Sequence, residues 1–222
     1  MREPKLVVFD VAGTTVSDGG GVPEAFRLAL TRNGVPFDAD ALGAVRGRSK
    51  RDAFAALVPD DPERAAAAHA SFRTALAELV REGTMRAMAD AEHVFAALRG
   101  RGIRVALNTG FDRETIALLL DALRWNELVD AVVCDDDVPA GRPAPYMIFR
   151  AMEATRTESV AEVACIGDTR ADLYAAYNAA AGWSIGVTTG ADRRELLQSA
   201  PHTAIVDSLT DALALLLGGG RA

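Results

Sequence analysis

The stretch Lys5-Leu6-Val7-Val8-Phe9-Asp10-Val11-Ala12-Gly13-Thr14-Thr15 decides how the chain folds. Its first half is a short apolar run, β-branched at its centre, of the kind that builds a strand buried on both faces. Its second half is a tight loop of small residues, with one Gly and two Thr, that opens from an Asp at the strand's end. Asp10 suits a nucleophile or a metal ligand, and equally a turn residue capping its own loop.

The same pattern recurs downstream. Segments 103–107, 131–134, 163–166 and 184–187 are short, apolar, often β-branched, and flanked by Gly, Asp or Asn. Between the later ones lie helix-period segments at 112–123, 145–154 and 171–180. This alternation predicts βαβ units and a parallel sheet with helices on both faces. One region breaks it. From 23 to 79 no strand run is found, and segments 23–31, 39–45, 50–57 and 61–80 all carry helical periodicity. Pro23, Pro62 and the pair Asp60-Asp61 are helix-start signals, and Pro36, Gly43, Gly47 and Pro59 punctuate the helices. The expected fold is therefore α/β: a three-layer α/β/α, Rossmann-like core from residues 1–16 and 85–222, with a helical cap inserted at 17–84. The tail Gly218-Gly219-Gly220 reads as a frayed end.

Composition narrows the function classes. The 222 residues are 50% hydrophobic and 25% charged, which leaves little room for long disorder and enough apolar surface for a real core. No apolar run approaches the ~18 residues of a membrane span. Met1 leads through Arg2-Glu3-Pro4-Lys5 into a run too short for a signal peptide, so a cytoplasmic protein is expected. Net charge is -7 and no basic stripe is present, which argues against a nucleic-acid partner. The two cysteines, Cys134 and Cys165, end apolar runs and read as buried free thiols. The three histidines are scattered, so a His-based metal site or a Ser-His-Asp triad has little to work with.

In parallel α/β sheets, sites form at the carboxyl ends of the strands. After the second long strand stands Asn108-Thr109-Gly110-Phe111-Asp112. Thr109, Gly110 and the following amides suit a phosphate oxygen, and Thr109 or Asp112 equally suits a helix cap. After the third stands Asp135-Asp136-Asp137-Val138-Pro139-Ala140-Gly141-Arg142-Pro143-Ala144-Pro145, in which Arg142 is either a charge clamp or part of a surface turn. After the fourth stands Gly167-Asp168-Thr169-Arg170-Ala171-Asp172. Its two carboxylates, four residues apart, are expected on one face of a helix start, where with Asp10 they offer hard oxygens to Mg²⁺. Simple N-capping is the plainer account, and it explains one Asp more easily than two.

The order of these motifs, Asp loop, Thr, Arg and acidic pair after successive strands, resembles the haloacid dehalogenase superfamily over nearly the whole chain. Two segments, Phe9 to Thr15 and Asp136 to Pro143, resemble its phosphonatase-like branch more closely. That resemblance implies a Mg²⁺-dependent phosphoryl transfer on a small phosphorylated or phosphonate substrate. Asp10 would attack phosphorus, and Asp10, the Ala12 carbonyl and Asp168 would hold Mg²⁺ with support from Asp172. Thr109, Gly110 and Arg142 would bind the phosphoryl oxygens. Ala12 stands where most phosphatases of the superfamily carry a second Asp as acid and base. Phosphonatases do without it through a cap lysine that forms a Schiff base with the aldehyde, and Lys50 in Arg46-Gly47-Arg48-Ser49-Lys50-Arg51-Asp52 matches that segment. Arg48 and Arg51 are expected to lower the Lys50 pKa by repulsion. Departures are Arg46 for Met, Ala53 for His, and Gly20 for Cys. The alternative is a phosphomonoesterase on a small acidic metabolite, similar to phosphoglycolate phosphatase, with Arg46, Arg48 and Lys50 binding the leaving portion. A non-catalytic phosphometabolite binder is disfavoured by the intact set Asp10, Thr109, Arg142 and Asp168. The alanine-rich cap helix offers an apolar face for a homodimer.

Overall fold

The computed structural model describes residues 3–218. The expected frayed tail therefore falls, at Gly219 and Gly220, outside the described residues. β1 (Leu6–Asp10) is buried along its whole length, as its unbroken apolar run requires. After the two-residue β2 (Val16–Ser17) the chain enters α1 (Gly21–Arg32), α2 (Ala39–Val45), α3 (Lys50–Leu57) and α4 (Pro62–Arg81). It returns through β3 (Arg86–Ala87), which pairs antiparallel with β2. Next come α5 (Ala91–Gly100), β4 (Arg104–Thr109), α6 (Arg113–Leu123), β5 (Ala131–Cys134) and α7 (Tyr146–Thr155). The chain ends with β6 (Val163–Gly167), α8 (Arg170–Ala179), β7 (Trp183–Val187), α9 (Arg194–Gln198), β8 (Ala204–Val206) and α10 (Leu209–Leu216).

The large sheet has the order β5-β4-β1-β6-β7-β8, and every neighbouring pair is parallel. Side chains alternate across it. Val7 and Phe9 belong to one apolar cluster with Val105 and Leu107, while Leu6 and Val8 belong to another with Ala106 and Val133. Helices α5 and α10 cover the first face, and α7 and α8 the second. These are the three α/β/α layers that the alternation predicts. The chain leaves β1 toward β4 on one side and reaches β6 on the other, so the strand order reverses at β1. Such a reversal opens a crevice at the carboxyl ends of the strands, and Asp10 is the last residue of β1.

The four helices between β2 and β3 pack around aromatic rings that are continuous with the apolar cluster on the first face of the sheet. Phe26 stacks on Phe54 at 4.8 Å between ring centroids, and Phe72 tilts against both at 4.7 and 5.6 Å. Their starts are fixed locally: the Asp38, Ser49 and Asp61 side chains cap α2, α3 and α4, and Pro62 opens α4. Ala65, Ala68 and Ala75 of α4 are buried, and α4 packs on α1, α3 and α6, so part of the alanine-rich face is spent inside the chain.

Three features go beyond the sequence pattern. The β2–β3 pair is too short to leave a periodic signal. β8 is a half-buried edge strand of three residues, equally short. β4 runs two residues past the expected run, to Thr109, while β1 ends on Asp10 as expected, so both side chains sit on the last rungs of the sheet rather than in flexible loops. Among the described residues no helix is long and apolar enough to cross a membrane.

Candidate active site

The sequence-predicted residues converge at the crevice. A cleft of about 250 Å³ is lined by Asp10, Ala12, Lys50, Thr109, Gly110, Arg142, Asp168 and Asp172 together with Arg46, Phe111 and residues 189–191. Asp10, Thr109, Arg142, Asp168 and Asp172 are all more than nine-tenths buried. Arg142 links two of the carboxylates: its Nη1 donates to Asp10 Oδ1 at 2.6 Å and also to Asp172 Oδ1. Its Nε is buried and has no partner among the described residues, which leaves a donor open for a further oxygen.

The acidic pair is arranged differently from the expected helix face. α8 begins at Arg170 with Thr169 as its cap, so Asp168 precedes the helix and Asp172 lies within its first turn. Asp172 Oδ2 accepts from the Thr169 backbone N–H at 3.0 Å and from the Thr169 hydroxyl, while its Oδ1 takes Arg142. Both Asp172 oxygens are thereby engaged, and the capping account of this residue is correct. Asp168 is held by the Thr14 hydroxyl at 3.2 Å and the Ala191 backbone N–H at 2.6 Å. Both donors are neutral. A Cβ on Gly13 or Gly190 would stand 2.3 or 2.0 Å from Asp168 Oδ2, so only glycine permits this packing.

Burying three carboxylates with one guanidinium has an electrostatic cost. Burial raises the Asp10 pKa to about 6, with Arg142 opposing and Asp172 adding to the rise. Burial, then Asp10 and Asp172, pushes Asp168 well above the ordinary carboxylate range. The cluster lacks positive charge and presents hard oxygens, which is the chemistry of a divalent cation site. Among the described residues no three His, Cys, Asp or Glu side chains form a metal cage by themselves. A cation here would take a pair of carboxylates and complete its shell with carbonyl and water oxygens, as Mg²⁺ commonly does.

Lys50 starts α3, and its ammonium lies 5.4 Å from the centre of the Phe111 ring. The residue as a whole is partly exposed, but its ammonium is desolvated. Burial first, and Arg142 second, lower its pKa to about 8 against the pull of Asp10, Asp135 and Asp168. The expected sources, Arg48 and Arg51, are not the cause: both side chains turn outward, and Arg51 lies 3.9 Å from Asp135. The loop that presents Lys50 is keyed onto the core by glycines. A Cβ on Gly110 would meet the Arg48 carbonyl oxygen at 2.8 Å, and one on Gly47 would meet Thr169 Oγ1 at 2.3 Å. Thr109 Oγ1 accepts from the Phe111 backbone N–H at 3.1 Å, and Asp112 caps α6 through the Thr115 backbone N–H.

Several participants escape a reading of the sequence alone. The loop after β7 supplies the Ala191 N–H to Asp168 and the Thr189 hydroxyl to the Gly13 carbonyl. Its Thr188-Thr189-Gly190 pattern repeats the small-residue composition of the loop after β1 and is a usable signal. Of the acidic triple after β5, Asp136 and Asp137 satisfy Arg113, while Asp135 turns inward and is buried. Cys134 and Cys165 are buried free thiols, as expected.

A family model described as haloacid dehalogenase-like hydrolase matches residues 4–182. A phosphonoacetaldehyde hydrolase from Syntrophobacter fumaroxidans is 30% identical over 96% of this chain and 82% of its own length. A solved structure described as a phosphonoacetaldehyde hydrolase-like protein, from Oleispira antarctica, superposes with a TM-score of 0.83 at 19% identity, covering 99% of this chain and 96% of that one. A predicted phosphoglycolate phosphatase from Haemophilus somnus superposes equally well, at 0.83 and 18% identity, over 97% and 99% of the two chains. These solved structures share the fold, and the family match, with the identity to the curated relative, gives the assignment: the chain belongs to the haloacid dehalogenase-like hydrolase family, in its phosphonatase-like branch.

Proposed function

We propose that the protein hydrolyses a small phosphonate aldehyde, with Asp10 as nucleophile toward phosphorus and Lys50 as the amine that activates the carbon side. The observation that carries this reading is a desolvated lysine in the same cleft as Asp10, where position 12 offers only a methyl group. Residues 17–84 would act as a cap over the sheet's crevice and exclude water from it.

The chemistry balances without an acid at position 12. The neutral Lys50 amine adds to the aldehyde carbonyl, and loss of water with uptake of one proton from solvent leaves a protonated imine. The Asp10 carboxylate attacks phosphorus, the C–P bond breaks, and its electron pair moves into the iminium to give an enamine. No alkoxide leaves, so no proton is needed at that step. Protonation of the enamine at carbon and hydrolysis of the imine release acetaldehyde and Lys50, and water cleaves the aspartyl phosphate to return Asp10 and phosphate. Arg142, whose Nε has no partner among the described residues, and Thr109 with Gly110 would hold the phosphoryl oxygens. Asp10, Asp168 and the Ala12 carbonyl would hold Mg²⁺, and Asp172 would fix Arg142 and Thr169. The cation, when bound, supplies charge neutralisation that lets two anions meet.

A second reading is a phosphomonoesterase on a small acidic metabolite. Arg46 favours it: it lines the cleft and has no carboxylate partner among the described residues. The test that separates them is Mg²⁺-dependent release of acetaldehyde and phosphate from phosphonoacetaldehyde, with Lys50→Ala as control. Full turnover in Lys50→Ala rules out the Schiff-base route, and turnover of acidic phosphate esters alone selects the second reading.

A further inference from the structure

We propose that Asp135 is the positioning residue for Lys50, holding the cap lysine over Asp10 from both sides. The proposal rests on the Lys50 role proposed above. Asp135 follows β5 on the core, and its side chain faces the start of α3 in the insertion. It is 5% exposed, and its Oδ1 makes no regular hydrogen bond among the described residues. A Cβ on Gly141 would stand 3.1 Å from that oxygen and 2.7 Å from Ser49 Cβ, so the carboxylate and Ser49 flank the same glycine. Ser49 is itself 1% exposed, and its oxygen accepts from the Asp52 backbone N–H at 3.1 Å. Its hydroxyl proton is thus available to Asp135, and Ser49 offsets part of the cost of burying that carboxylate. Arg51 approaches the other oxygen at 3.9 Å. Ser49 and Arg51 are the two neighbours of Lys50 in sequence.

The second contact is through the backbone. The Asp135 N–H donates to the Phe111 carbonyl at 3.2 Å, and Phe111 is the ring beneath the Lys50 ammonium. One residue therefore fixes the segment that carries Lys50 and the surface on which Lys50 rests. Asp136 and Asp137 cannot substitute, because both are spent on Arg113. Asp135 touches no reacting atom; it acts through Lys50.

The test compares Asp135→Ala, Asp135→Asn and Ser49→Ala with the parent. The first readout is cyanoborohydride trapping of acetaldehyde on Lys50, followed by peptide mass spectrometry, which needs no turnover. The second is kcat against KM on phosphonoacetaldehyde, and the third is hydrogen exchange of amides 49–54. We expect Asp135→Ala to slow trapping and kcat together by about tenfold or more, the scale of a misplaced reacting group. Amides 49–54 should exchange faster. Asp135→Asn, which keeps an oxygen for Ser49, should recover most of the rate, and Ser49→Ala should behave like Asp135→Ala. Unchanged trapping and exchange in a folded Asp135→Ala protein overturns the proposal. Should Asp135→Ala fail to fold, equal trapping in Ser49→Ala and the parent overturns it instead. A parent that traps acetaldehyde at Lys50 but leaves phosphonoacetaldehyde intact refutes the proposed function while the positioning role is still read from trapping and exchange.

Discussion

The pH dependence of Lys50 reactivity offers a direct measure of its surroundings. An ordinary lysine is neutral in only about one molecule in three thousand at pH 7. With its pKa lowered to about 8 by burial and Arg142, Lys50 is neutral in roughly one in ten, a gain of a few hundredfold in reactive amine. The perturbation is a pH series, and the assay is reductive trapping of acetaldehyde by cyanoborohydride, with the modified lysine located by mass spectrometry. The chain has two lysines, and the other, Lys5, lies on the surface beside Glu162 as an internal control for the reagents. The Lys50 rate should climb about tenfold per pH unit below about 8 and then level off. A rate at Lys50 that still climbs tenfold between about pH 8.5 and 9.5 would falsify the desolvated site. The sign carries over to stability. Between about 8 and the ordinary lysine value of 10.5 the unfolded chain binds more proton at this residue than the folded one, so its contribution to stability rises with pH across that window.

Three further outcomes are expected. Gly110→Ala places a methyl 2.8 Å from the Arg48 carbonyl, which is backbone and cannot swing aside; kcat should fall about tenfold or more while thermal unfolding changes far less, as steady-state kinetics and calorimetry will report. Arg142→Ala strips the buried carboxylates of their guanidinium and should cost roughly 3–5 kcal/mol in urea unfolding near neutral pH. That deficit should shrink as the pH falls and the carboxylates take up protons. Cys134 and Cys165, whose thiols burial pushes up (Cys134 to about 12), should resist iodoacetamide in the native protein and react once it is unfolded; rapid native alkylation would contradict the packing described.

Much of this architecture is legible because it is written in local pattern. The long parallel strands announce themselves as unbroken apolar runs, and α2 and α3 span the segments their periodicity predicts, with Asp38 and Ser49 capping them in the structure. Asp10, Thr109 and Asp168 stand out because each lies at or just beyond the carboxyl end of a strand, and Arg142 because it is held among Gly and Pro in the loop that follows one. The hidden part depends on distant neighbours. Nothing local distinguishes Asp135 from Asp136, yet one is buried against the insertion and the other serves Arg113. The proximity of Arg142 to Lys50, which replaces Arg48 and Arg51 as a source of its lowered pKa, joins residues 92 positions apart and cannot be read from either segment. The spacing of Asp168 and Asp172 suggests a shared helix face, but the capping geometry at Thr169 places only Asp172 in the helix.

The narrow β2–β3 ladder also bears on how the sheet assembles. β1 must find β4 across the whole insertion, with Leu6 opposite Arg104. Once Val16 and Ala87 are paired, the path between those strands is shortened roughly fourfold, which lowers the entropy of closure by about 1 kcal/mol. The insertion thus enters and leaves through a single doorway, and to the sheet it is topologically a short turn. The register of the strands that carry Asp10 and Thr109 is set along that shorter path, outside the four helices.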